Sequence, residues 1–218
     1  MPSLVRPEFG PTLPALLRER AGVPPRATIA GVVVLVVLAG IVAVLVRPGT
    51  PGDTQLVHEG EPVFNMLYTA DQLDRAEPRA GELVRFEGER GDQRVEVTVR
   101  PLELPPFEGD VSHALLPTFA TRHEQRLSEE YDGFTLTEEG RARVGGSPGY
   151  EVSFQAGPES ERTFGSDVMV VPGEDDASGA VLISFRRVAG SAIGKDEREL
   201  VNAARSTFRS FVYGRDRP

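Results

Sequence analysis

The chain opens with a continuous apolar run, Ile29 to Val46 (IAGVVVLVVLAGIVAVLV), which contains no charge and is bracketed by Arg26 and Arg47. With Ala27 and Thr28 it corresponds to about 30 Å of helix at about 1.5 Å per residue, the hydrocarbon thickness of a bilayer. The pattern predicts a single transmembrane helix over 29–46. Its many valines are no objection, because in lipid the backbone must satisfy its hydrogen bonds within the segment. A cleavable secretion signal has a shorter apolar core, about 7 to 15 residues, behind a short basic leader and ahead of a small-residue site. This run starts after 28 residues and ends Val44-Leu45-Val46-Arg47-Pro48, so it is expected to stay as an anchor. Ala39 and Ala43 have the small-xxx-small spacing of helix contacts in membranes, but two small residues in one span are more often incidental.

From Pro62 the hydrophobic period becomes two. Phe64, Met66 and Tyr68 alternate on one strand and Val84 and Phe86 on another, while Val95, Val97 and Val99 alternate with Arg94, Glu96, Thr98 and Arg100, the signature of a sheet with one wet face. Gly88-Glu-Arg-Gly-Asp92 is expected to turn the last two strands into a hairpin. Beyond a proline-broken loop, Pro101 to Pro106, the period changes to that of a helix, with Leu116, Phe119, Ala120, His123, Leu127 and Tyr131 on one face. Pro117 belongs in its first turn, so any helical turn before it should be separate or kinked.

Gly133 stops that helix, and two hairpins are predicted after it. Arg141–Val144 and Tyr150–Gln155 flank Gly145-Gly-Ser-Pro-Gly149, and Thr163–Val171 and Ala180–Val188 flank the acidic loop Pro172 to Gly179. A final amphipathic helix carries Leu200, Ala204, Thr207, Phe208 and Phe211, with Asp196 and Glu197 near its positive end. Three strands, a helix, four or five strands and a helix imply an α+β domain, one mainly antiparallel sheet covered by helices.

Residues 1–28 hold Pro2, Pro7, Pro11, Pro14, Pro24 and Pro25 with little apolar periodicity, so a disordered tail is expected, with at most a brief membrane-surface helix at Leu13 to Arg20. Arg47-Pro-Gly-Thr-Pro-Gly-Asp53 opens a linker expected over 47–61, ahead of a folded domain at 62–214. Arg18, Arg20 and Arg26 precede the span and only Arg47 closely follows it, which predicts a cytoplasmic N-terminus and an extracytoplasmic C-terminal domain. The tail is net positive, so the remainder is more acidic than the chain's formal charge of −9; that balance disfavours nucleic acid and anionic lipid surfaces as partners. The absence of cysteine excludes disulfides, thiolate metal sites and a cysteine nucleophile.

At this point the chain resembles a known family. The Phe-x-Met-x-Tyr strand, the arginine-flanked Val-x-Val-x-Val strand, the helix ending Tyr131-Asp-Gly-Phe134 and above all Arg143-Val-Gly-Gly-Ser-Pro-Gly-Tyr-Glu-Val-Ser-Phe154 are similar to PsbP-like domains. These include membrane-anchored and lipidated actinobacterial proteins. The resemblance spans Pro62 to Val212. It implies an α-β-α sandwich used for binding or assembly and supplies no shared catalytic residues, and fold by itself does not give function.

Local patterns that suggest chemistry resolve into simpler readings. Gly145-Gly-Ser147-Pro-Gly149 spells a hydrolase elbow, but a strand rather than a helix follows it, and His58, His113 and His123 all precede Ser147. Gly190-Ser-Ala-Ile-Gly194-Lys195-Asp196 is one residue short of a phosphate loop and places an acid where a hydroxyl should hold magnesium; it reads as a loop with Asp196 as helix cap. The histidines lack metal-ligand spacing, and His123 lies in an apolar stripe, as a satisfied core or boundary histidine would. Glu174-Asp175-Asp176 lacks the alternating ligands and distal glutamate of a calcium loop. Glu129-Glu130-x-Asp132 and Glu138-Glu139 show no acid/base division of labour, and Arg90-Gly-Asp92 reads as turn chemistry.

No catalytic, cofactor-binding or metal-ligating residue is therefore nominated, and no cofactor is expected. The sequence predicts a single-pass, non-enzymatic binding or assembly module at the cell membrane, its partner an envelope protein or a hydrophobic ligand. The alternatives are a carrier enclosing a hydrophobic molecule and, third, an envelope hydrolase. An apolar cavity between helix and sheet would favour the carrier, a sealed core with an exposed apolar patch the partner module, and a cleft of converging ionisable groups the enzyme.

Overall fold

Alternating valines pack where the sequence places them. In the computed structural model, which describes residues 53–189 and 194–214, Val97 of β5 (Gln93–Pro101) lies between Phe86 of β4 (Val84–Arg90) and Phe185 of β9 (Val181–Ala189). All three are buried. The described residues lie within the second of the two units into which the chain divides, Thr50–Pro218. The expected tail and membrane span fall outside the described residues, among which no helix is long and apolar enough to cross a membrane.

The other strands are β1 (Asp53–His58), β2 (Phe64–Thr69), β3 (Asp74–Ala76), β6 (Thr135–Val144), β7 (Ser147–Ala156), β8 (Arg162–Val170) and β10 (Val212–Tyr213); the helices are α1 (Leu116–Glu130) and α2 (Lys195–Arg209). A seven-stranded antiparallel sheet runs β3-β4-β5-β9-β8-β7-β6, and a small antiparallel sheet runs β1-β2-β10.

Each face of the large sheet has its own core. On one face, α2 and the small sheet bury Phe64, Met66, Leu200, Phe208 and Phe211 against Val84, Phe86, Val97 and Ile183. On the other, α1 buries Leu116, Ala120 and Leu127 against Val152, Phe154 and Met169. Each such side chain contributes about 1.5–3 kcal/mol by leaving water, and the two layers are what hold a domain without disulfides together. The expected α+β class with a mainly antiparallel sheet is observed, but the expected single sheet is two, the small one sharing with α2 the cover of one face.

The boundaries differ in instructive ways. The linker expected over 47–61 contains β1, which pairs with the whole of β2 but turns only Leu56 deeply inward, too little to show as a period. Likewise β6 extends back to Thr135, an edge strand with polar residues on both faces and a register shift between Leu136 and Glu138. The expected five-residue turn shrinks to Gly91-Asp92, because Gly88 is a strand residue opposite Val95. A Cβ there would lie 2.5 Å from Leu200 Cδ1 and 2.8 Å from the Gln72 carbonyl oxygen, so this glycine marks close approach rather than a turn.

The helices follow their signals. One π-helical turn, Val111–Leu115, precedes α1, and Pro117 occupies its first turn, the separation expected there. The cap of α2 is Gly194, not Asp196, and the Glu197 carboxylate reaches back to the Gly194 N–H. Phe211 is buried beyond the helix end, where Ser210 caps α2 and ties it to β2 by accepting from Leu67 N–H at 2.8 Å.

Candidate functional site

Polar residues gather into three groups. The first lies under α1. Asp167 on β8 is buried; its carboxylate accepts two hydrogen bonds from the Arg186 guanidinium on β9, at 2.6 and 2.8 Å, and one from the His123 ring on α1, Nε2 to Oδ2 at 2.6 Å. The Arg126 guanidinium lies 3.4 Å from His123 Nδ1 and can only donate, which places the ring hydrogen on Nε2. Arg186 also lies 4.9 Å from the Phe154 ring centroid. Burial works to raise the Asp167 carboxyl, but the Arg186 charge and the His123 hydrogen bond outweigh it and hold it well below the ordinary range. Burial similarly opposes the charge on Arg186, and Asp167 overcomes it. The cluster is saturated and roofed by α1, so it fastens helix to sheet.

The second group brings Asp110, Ser112 and His113 together at the π-helical turn. Ser112 Oγ donates to Asp110 Oδ1 at 2.7 Å and lies 2.9 Å from His113 Nδ1, the same nitrogen that meets Asp110 Oδ2 at 2.6 Å. A hydrolytic triad needs the acid and the hydroxyl on opposite ring nitrogens. Here both contact Nδ1, and the hydroxyl hydrogen is given to the carboxylate. Hydrogen bonds from Ser112 and then His113 lower Asp110 to about 2. The arrangement is a helix cap, in which Asp110 also accepts from the His113 N–H at 2.9 Å.

The third group is open. The small sheet and α2 cover β4, β5 and β9 and also bury Val168 and Val170 of β8 and Val144 of β6, and the rest of this face over β8, β7 and β6 stays open. Between this uncovered sheet and the flank of α2 lies a cleft of about 500 Å³. Phe164, Phe185 and Phe208 form its apolar wall and Arg205 and Arg209, one turn apart on α2, stand at its rim. The arginines are exposed, Phe185 and Phe208 are buried, and Phe164 is half-buried. On its floor Glu151 Oε1 accepts from Ser166 Oγ at 2.5 Å and Ser153 Oγ at 3.1 Å. Beside it, Arg187 lies 5.0 Å from the Phe164 ring centroid and donates to Gln93 Oε1 at 3.1 Å. Burial, and then the charge of Arg205, lower the Arg187 guanidinium. Among the described residues no carboxylate pairs with Arg205 or Arg209.

The residues singled out in sequence are dispersed. Ser147 begins β7 after the two-residue turn Gly145-Gly146, both at positive φ, so the elbow reading fails as expected. His58 stacks on Phe64, His113 lies in the cap and His123 under α1. Among the described residues no three groups could share a metal ion. Glu174 pairs with Arg143 at 3.2 Å, and Asp176 accepts from Ser178. Glu129 accepts from Gln125, and Glu139 accepts from Tyr150. Arg90 binds the Asp71 carbonyl at 3.2 Å. Asp167, Arg186 and the cleft arginines were not foreseen; the one available signal was a pair of arginines, Arg186-Arg187, in an otherwise apolar strand.

The described residues define an α+β domain in which a two-faced antiparallel sheet presents an open, cationic and aromatic cleft. No protein-family profile and no curated protein matches the chain. Among solved structures it is similar to LpqN of Mycobacterium tuberculosis, described as involved in cell envelope biogenesis, at 10% identity over 80% of this chain and 97% of that one, with a TM-score of 0.47. It is also similar to cyanobacterial PsbP (CyanoP) of Synechocystis sp. PCC 6803, at 14% identity over 77% and 96%, TM-score 0.47. A third is PA94 of Pseudomonas aeruginosa, a protein of unknown function described as a putative regulator, at 13% identity over 76% and 98%, TM-score 0.41.

Proposed function

We propose that this chain is a membrane-tethered, non-enzymatic module that displays its α+β domain outside the cytoplasmic membrane and binds a component of the cell envelope at the cleft beside α2. The observation that carries this reading is the contrast between its polar groups. The groups best suited to proton transfer, His123, Asp167, His113 and Asp110, are engaged with one another, whereas Arg205 and Arg209 face solvent beside recessed aromatics. Such a site can hold a molecule; its one carboxylate, Glu151, is occupied by two seryl hydroxyls, and no histidine lines the cleft to complete an acid/base pair. The tether follows from the run Ile29 to Val46 and the orientation from Arg18, Arg20 and Arg26.

Site-directed photocrosslinking in intact cells tests the binding face. A benzophenone side chain at Thr137, exposed on the cleft edge, is expected to yield a discrete protein or lipid adduct, and one at half-buried Glu124 on α1 none. Adducts at Glu124 with none at Thr137 would move the binding face to α1 and defeat the assignment.

A further inference from the structure

We propose that the cleft beside α2 binds an anionic lipid, its oxyanionic head held by Arg205 and Arg209 and its hydrocarbon laid against Phe164 and Phe208. The inference rests on the reading of this cleft as the binding face and names what it takes. Its first ground is charge. The domain is acidic overall, yet Arg205 and Arg209 stand on one side of α2, close in sequence to no partner and without a carboxylate within ion-pair distance among the described residues. Arg187, near enough to Arg205 for its charge to be felt, adds a third cation on the same side. Guanidinium groups present planar donor forks that match carboxylate and phosphate oxygens, and they are more weakly hydrated than ammonium, so they suit a partly desolvated oxyanion.

The second ground is the shape and depth of the apolar surface. Among the described residues the exposed large hydrophobics are Val57 and Phe107, and neither lines the cleft. The aromatics beside the arginines are recessed: Phe208 is 8% and Phe185 5% exposed. A protein partner needs about 800 Å² of its surface covered, with an apolar centre accessible to its side chains, and no such patch surrounds this site. A volume of about 500 Å³ falls instead within the range of small-molecule sites, about 300–1,000 Å³. A slim chain reaches recessed rings that a flat protein surface does not.

Glu151 is the one carboxylate lining the cleft, and it does not cancel the cations. Two seryl hydroxyls donate to it. It stands on β7, with the whole of β8 between it and Arg187 on β9, so that their strands lie about 10 Å apart. The cleft therefore has a cationic wall and an acidic floor, and an oxyanion placed on the floor would be repelled. This orients the head toward α2.

Because the chain contains no tryptophan, Phe164→Trp installs a lone tryptophan in the cleft, excited selectively over the four tyrosines. With the full chain in phosphatidylcholine vesicles, octyl phosphate should change that fluorescence saturably, whereas octyl glucoside and inorganic phosphate should each bind at least tenfold more weakly. Adding Arg205→Gln and Arg209→Gln should weaken octyl phosphate at least tenfold, and Arg122→Gln on α1 should leave it unchanged. Both cleft arginines are exposed, so unchanged thermal unfolding is expected and verifies the fold. Equal binding by the double variant, by octyl glucoside or by inorganic phosphate would each overturn the proposal. A protein adduct at Thr137 together with no octyl phosphate binding would also overturn it, while leaving the cleft standing as a binding face.

Discussion

Asp167 is a buried carboxylate that accepts from both Arg186 and His123, and its environment makes the consequences of changing it calculable. Removing one partner of a buried charge cluster leaves the others desolvated and unpaired, a loss of about 3–5 kcal/mol. Asp167→Asn keeps the shape but not the charge that Arg186 and His123 share, and a loss of that size is expected in urea or thermal unfolding. The same carboxyl should govern acid sensitivity. Its folded value lies below the ordinary one, so as pH falls the unfolded chain takes up the proton first. Its stabilisation is complete above about pH 4 and is lost as pH falls from there toward the depressed folded value. Unfolding midpoints measured from pH 5 downward should therefore drop less steeply in Asp167→Asn, by up to about 1.4 kcal/mol per pH unit. In sequence His123 was legible as a residue of the apolar stripe, whereas Asp167 resembled any polar residue on a wet strand face.

Turn chemistry governs the β6–β7 hairpin. Gly145 and Gly146 have φ of 57° and 85°, and positive φ at both central positions is the demand of a two-residue type I′ connection. Their surroundings differ. A Cβ on Gly145 would lie 2.2 Å from the Phe211 carbonyl oxygen, while on Gly146 it would meet nothing within 4 Å. Gly145→Ala should cost about 2 kcal/mol or more, and Gly146→Asn, a residue that tolerates this conformation, less than about 1 kcal/mol; equilibrium unfolding of the two variants checks the contrast. Elements of this kind were readable beforehand because glycine and alternation are local signals. β1 was not, since one inward leucine makes no period. Its place comes from backbone pairing with β2.

Whole-molecule architecture carries the functional reading. The tether and the outward domain are expectations from the apolar run and its flanking arginines, and protease shaving of intact cells tests them: the Thr163 to Val188 region should be digested and the N-terminal tail protected, and the reverse pattern would invert the topology. The cleft arises from a mismatch of widths, for α2 and the small sheet roof only part of one sheet face while α1 covers part of the other. By itself the sequence determined the element types, the order of most of them, the two amphipathic helices and the failure of the hydrolase pattern, because periodicity, turn residues and motif spacing act over a few residues; the loop at 190–193 lies outside the described residues. Only the tertiary structure decided that His123 meets an aspartate 44 positions away, that Ser112 and His113 share one carboxylate, and that Phe164 and Phe208 line a cleft rimmed by arginines. Those meetings depend on strand order and on which face each helix covers, and both are set by long-range packing.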